Sequence, residues 1–159
     1  LGGGVMPISA VCTTEEFFHP MMYPNPFMHT TTTGGGALAC SAAIAAIHVT
    51  LRERLWEQAA VKGEYLIPRL QKLAERYPQI YEKITGKGLL IGMHFTSPQI
   101  GYKVASGLFK RGVLVSGTLT SAQTVRMEPP LIVAMEQLDI ALERLEDTLK
   151  SVSRSMEND

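Results

Sequence analysis

Apolar positions along this chain fall into two regimes. Up to residue 51 they come in runs broken by glycine, proline and threonine. Beyond residue 52 they recur with a helical or strand period. Residues 1–7 read as a glycine loop, and residues 9–13 (SAVCT) as a short buried strand. Thr14 before Glu15 and Glu16 predicts the cap of a short helix. Pro20, Pro24 and Pro26 predict a loop over residues 19–28, exposing Met21, Met22, Tyr23 and Phe27 as an interface segment. From Ala37 to Ile47 a helix is small or apolar nearly all round, which predicts close packing on every side. From Arg52 the helical pattern turns amphipathic, with Leu55, Ala59, Leu66, Leu70 and Leu73 in register until Pro78 stops it.

Three strand patterns follow, over residues 80–85, 89–95 (LLIGMHF) and 113–116. A helix over residues 102–111, closed by Gly112, lies between the last two. Residues 124–128 (TVRME) alternate and predict a strand ended by Pro129-Pro130. A closing helix spans residues 136–153, with Ile140, Leu142, Leu145 and Leu149 as its stripe, and the tail is expected to fray. This order predicts an α+β sandwich, a small, mostly antiparallel sheet with helices on one face. The domain boundary is expected within the long helix, giving residues 1–51 and 52–159.

Composition narrows the function. The chain has 159 residues, 45% of them hydrophobic, and its 15 basic and 15 acidic side chains cancel. That balance gives no electrostatic case for nucleic acid or an anionic membrane. No apolar run approaches the ~18 residues of a spanning helix. Cys12 and Cys40 are too few for a disulfide framework or a zinc site and read as buried free thiols, which points to the cytoplasm. No Lys or Arg precedes Arg52. A stretch so poor in charge reads as buried in a core or against a partner. The opening LGGGVMP has no initiator Met and no cap, and reads as a sequence cut in mid-domain.

Several motifs fail on mechanism. Gly86, Gly88 and Gly92 lead into a strand, whereas a dinucleotide loop must lead into a helix N-terminus. Lys87 lacks the surroundings of a P-loop lysine. His19, His29, His48 and His94 show neither metal spacing nor a nucleophile elbow. Two candidates remain. Residues 30–36 combine threonine hydroxyls, glycines that admit close approach of backbone N–H groups, and a following helix dipole. That is an anion cup, with a β-turn before a helix as the alternative. Arg126 sits on a strand beside a rigid proline corner and suits bidentate capture of a carboxylate. The alternative is a salt bridge to Glu128 or to the closing helix.

Four segments in this order carry a family resemblance: LGGGVMPI, NPFMHTTTTGGGALAC, GKGLLIGMHF and TVRMEPPL. Together they resemble the C-terminal part of class III, ω-type aminotransferases, which are pyridoxal-phosphate (PLP) enzymes of fold type I, and are most similar to the putrescine-type members. The resemblance implies that residues 1–51 end a large cofactor-binding domain and that residues 52–159 form a small C-terminal domain. It implies a homodimer in which the H-x-T-T-x-G-G segment crosses the interface. There Thr32, with Thr31 beside it, would hold the phosphate of the other subunit's cofactor. Arg126 would bind the α-carboxylate of glutamate or 2-oxoglutarate. The implied reaction moves an amino group from an amine or ω-amino acid, putrescine-like, to a 2-oxo acid.

The chain departs from the family pattern. Gly36 and Ala37 replace an Asn-Pro pair, and Thr33 an aromatic residue, changes that loosen the loop. The cofactor lysine of the family would fall two residues before Leu1, so no catalytic residue is assigned here. The isolated chain is expected to be inactive. Two alternatives stay open: a non-catalytic dimerisation or scaffold module with an aminotransferase fold, and part of a PLP aminomutase.

Overall fold

The computed structural model describes residues 1–26, 28, 30–118 and 121–157. The chain divides into two compact units, Leu1–Arg54 and Leu55–Asp159.

The second unit is built on strand parity. Helix α3 (Leu55–Arg76) leads into the hairpin β1 (Tyr81–Lys87) and β2 (Leu90–Phe95). Helix α4 (Pro98–Lys110), the two-residue strand β3 (Ser116–Gly117), β4 (Thr124–Met127) and helix α5 (Met135–Glu157) complete it. The sheet order is β1-β2-β4-β3, with every pair antiparallel. Side chains alternate across a strand. Ile91, Met93 and Phe95 of β2 and Val125 and Met127 of β4 therefore share one face, and all are buried. They pack with Leu66 and Leu70 of α3, Val104 and Leu108 of α4, and Leu145 and Leu149 of α5. Each such side chain contributes about 1.5–3 kcal/mol when fully buried. The family of strands and helices is the α+β layer arrangement expected from the pattern.

Helix α3 runs through both of its apparent breakers. Pro68 lies on the exposed side of the helix, as does Glu64 one turn before it, whose carbonyl loses its N–H partner there. Gly63 is buried at a close crossing, where an added Cβ would stand 2.5 Å from Gly88 Cα. Gly88 in turn sits at φ +58° in the β1–β2 turn. Helix and hairpin turn thus touch backbone to backbone. At the start of α4, Ser97 accepts a bond from the Ile100 N–H at 3.3 Å, a cap the periodicity did not reveal.

The first unit holds α1 (Glu15–Met22) and α2 (Ala37–Arg52). Several expectations are corrected here. Residues 9–13 form no strand, and Val11 is 83% exposed, since no strand among the described residues of this unit completes a ladder. Helix α1 continues through Pro20 to Met22, and the Tyr23 N–H still closes onto the His19 carbonyl at 3.0 Å. Thr14 takes the N-cap position in extended conformation without a side-chain cap bond. In α2 only Ala43 is buried, while Leu38, Ile44, Ile47 and Leu51 are exposed. A helix apolar all round needs neighbours on every side, and this unit supplies too few. Cys12 is exposed and Cys40 half-buried, both free, so neither is the buried thiol expected. Phe27 and His29 lie outside the described residues.

The long helix is also interrupted. Arg54 takes φ 49°, a left-handed turn that separates α2 from α3. The strand expected over residues 113–116 shrinks to Ser116–Gly117, and α5 extends to Glu157 instead of fraying after Ser153.

The Gly63–Gly88 crossing predicts that Gly63→Ala destabilises this chain by a net ~1–2 kcal/mol. Overpacking against immovable backbone costs more than the gain in helix propensity. A urea melt reads this as a lower midpoint at unchanged slope; an unchanged midpoint would show that the crossing has slack.

Candidate functional site

The parity that buries Val125 and Met127 turns Arg126 to the opposite face of the sheet. Register aligns a row across that face. Thr85 pairs with Gly92, Gly92 with Arg126, and Arg126 with Ser116. Gly92 has no side chain, so the row is notched beside the arginine. The guanidinium is engaged at both ends. Nη1 lies 3.2 Å from Glu128 Oε1, and Nη2 donates to Ser116 Oγ at 3.1 Å. Nε is buried without a partner. The Glu128 pair anticipated as an alternative therefore forms. With side chains 42% and 37% exposed, it is worth about 0–1 kcal/mol and is readily exchanged.

The next row holds a bonded set that the sequence reading passed over. His94 Nε2 lies 2.8 Å from Thr85 Oγ1, and its Nδ1 lies 3.0 Å from Thr124 Oγ1. One imidazole thus ties together β1, β2 and β4. Strand parity was the available signal, because His94 and Arg126 both stand out of phase with buried neighbours.

The corner after β4 is held from behind. Lys62 is buried on α3, and its Nζ donates to the Leu131 carbonyl at 2.6 Å and lies 3.4 Å from Gln58 Oε1. The Val133 N–H closes onto the Pro130 carbonyl at 2.9 Å. Nothing in the sequence marked Lys62, since a lone lysine in an amphipathic helix reads as a solvated charge.

The first unit carries the other candidate. Thr31, Thr33, Gly34, Gly35, Ala39 and Cys40 line an open cleft of about 710 Å³ together with Pro7, Ile8 and Ser9. Thr31 Oγ1 and Thr33 Oγ1 are 3.5 Å apart. Thr32 is exposed and lies outside the cleft wall. A Cβ at Gly34 would stand 2.3 Å from Thr31 Cγ2, and Gly35 takes φ +71°. The glycines thus permit a tight fold-back that brings threonine hydroxyls beside the start of α2. The first turn of that helix carries no acidic residue, and its N-cap, Gly36, makes no side-chain bond. The N–H groups of its first turn have no carbonyl partner within the helix, and the positive end of the helix dipole points the same way. This donor set, with no carboxylate in the cleft wall, fits a phosphate group. Among the described residues no three His, Cys, Asp or Glu side chains converge as a metal cage.

Comparison with known proteins supplies the frame for both candidates. The family model described as "Aminotransferase class-III" matches residues 1–149. The chain belongs to the class III aminotransferase family. It is 47% identical over 156 residues to the putrescine aminotransferase of Pectobacterium atrosepticum, a match that covers 98% of this chain and 33% of that protein. It resembles the ornithine aminotransferase of Toxoplasma gondii, whose active site holds PLP at partial occupancy. There the TM-score is 0.74 at 28% identity, over 87% of this chain and 32% of that one. For the acetylornithine aminotransferase of Elizabethkingia anophelis the TM-score is 0.71 at 31% identity, over 77% of this chain and 31% of that one. The chain therefore spans about a third of the length of these relatives. No helix among the described residues is long and apolar enough to cross a membrane.

The Lys62 anchor predicts that Lys62→Met costs about 1.5–3 kcal/mol of stability, because a charge-assisted bond is lost and the Leu131 carbonyl is left unpaired. Equilibrium denaturation of this chain measures it. A midpoint equal to that of the parent would mean that the bond contributes nothing.

Proposed function

We propose that this chain supplies two recognition elements of a PLP-dependent aminotransferase. The enzyme would transfer an amino group from a putrescine-like amine or ω-amino acid to a 2-oxo acid such as 2-oxoglutarate. The observation that carries the reading is Arg126. It lies on the polar face of the sheet, with Nε buried and unpaired and Nη1 in a half-exposed, exchangeable ion pair. A planar guanidinium in that state suits a substrate carboxylate. The identity to a putrescine aminotransferase supports the amine side of the assignment.

Thr31 and Thr32 would hold the cofactor phosphate, with hydroxyls and helix N–H groups neutralising its charge. Bound PLP supplies the electron sink on which the amino group is exchanged. Both are exposed, but Thr31 lines the cleft of its own unit and Thr32 does not, which suits a contact from Thr32 to the cofactor of a partner subunit. The exposed Leu38, Ile44, Ile47 and Leu51 of α2 support a homodimer, since such a surface is stable only when covered.

Two outcomes test the reading. In the complete aminotransferase, Arg126→Ala should raise KM for the 2-oxo acid by about 10- to 100-fold, as loss of a charged hydrogen-bond pair implies, and leave KM for the amine nearly unchanged. Equal effects on both substrates would assign Arg126 a structural role. The 159-residue chain alone, given amine, 2-oxoglutarate and PLP, should turn over no faster than free PLP. None of its seven lysines lies in the first unit, which carries the threonine cleft. Robust turnover would contradict this.

A further inference from the structure

Strand β3 is two residues long and lies at the sheet edge, so it contributes little to the ladder. What it does place is a hydroxyl. Ser116 stands opposite Arg126 in register and accepts from Nη2 at 3.1 Å. Its own proton is used elsewhere, since Ser116 Oγ donates to the Gly117 carbonyl at 3.1 Å. That bond turns the serine lone pairs toward the arginine. Thr118, directly after β3, is bonded as well. Thr118 Oγ1 donates to the Ser121 carbonyl at 2.6 Å and accepts from the Ser121 N–H at 3.1 Å, and the Thr118 N–H reaches the Thr124 carbonyl at 3.2 Å.

The two partners of the guanidinium differ in charge. Glu128 is anionic and already pairs with Nη1 at 3.2 Å. Ser116 is neutral, so it restrains the other end without cancelling the positive charge that a substrate carboxylate needs. With Nε unpaired, these two contacts set the rotation of the plane.

We propose that Ser116 is a positioning residue for Arg126, fixing the Nη2 end of the guanidinium while Nη1 pairs with Glu128, and so setting affinity for the carboxylate-bearing 2-oxo acid. The inference rests on the reading of Arg126 as the carboxylate receptor.

The test compares Ser116→Ala, Ser116→Thr and Arg126→Gln in the complete aminotransferase. It uses KM for 2-oxoglutarate, KM for the amine, and the competitive inhibition constant of glutarate as a non-reacting dicarboxylate. Ser116→Ala should raise the 2-oxoglutarate KM and the glutarate constant by about 2- to 10-fold, since the substrate feels only the lost orientation of the guanidinium and not the whole charge-assisted bond, with the amine KM unchanged. Ser116→Thr keeps the hydroxyl on a strand-compatible side chain and should restore both. If Arg126→Gln weakens 2-oxoglutarate and glutarate but Ser116→Ala does not, the role of Ser116 is overturned while the receptor stands. A Ser116→Ala effect equal on amine and acid overturns it too. If Arg126→Gln itself leaves both acids unaffected, the receptor reading fails first.

Discussion

Strand parity is the constraint on which the second unit depends. Burying Ile91, Met93, Phe95, Val125 and Met127 against three helices leaves Gly92, His94, Thr124 and Arg126 no choice of face. A slip of one residue in the β2–β4 pairing would bury the arginine and expose the core. The hydrophobic term that folds the sheet thus also aims its one strand-borne guanidinium. The proline corner and Lys62 then hold the end of β4 from behind. The packed core and the candidate site are two sides of one strand.

The first unit works differently. Among its described residues there is no strand, and its candidate site is a loop whose shape is set by glycines at positions where a Cβ would collide or where φ is positive. Hydroxyls and helix N–H groups converge there without an acidic neighbour. Its apolar helix α2 is exposed along Leu38, Ile44, Ile47 and Leu51, which ties the unit's completion to a covering surface.

What could be read from sequence divides along the same line. Helices α3, α4 and α5 and the strong strands were legible, because their apolar periods report the face that packs on a core. The interruption at Arg54 was not, because a left-handed residue without glycine has no compositional mark. The strand expected over residues 9–13 failed because an apolar run says nothing about whether a partner strand exists. Arg126 and the threonine loop stood out through their neighbours, the proline corner and the glycines. Ser116, Lys62 and the His94 cluster stayed hidden because each depends on a partner more than eight residues away in sequence, brought close only by the fold.

The proposed phosphate cup and carboxylate-reading arginine of a PLP aminotransferase can be tested together. The most direct measurement is a crystal structure of the complete enzyme with PLP and glutarate bound. The account predicts a phosphate oxygen within about 3 Å of the Thr31 or Thr32 hydroxyl and a glutarate carboxylate at the same distance from the Arg126 guanidinium. A phosphate held without any contact from residues 30–36, or a carboxylate bound elsewhere with Arg126 still closed on Glu128, would contradict it.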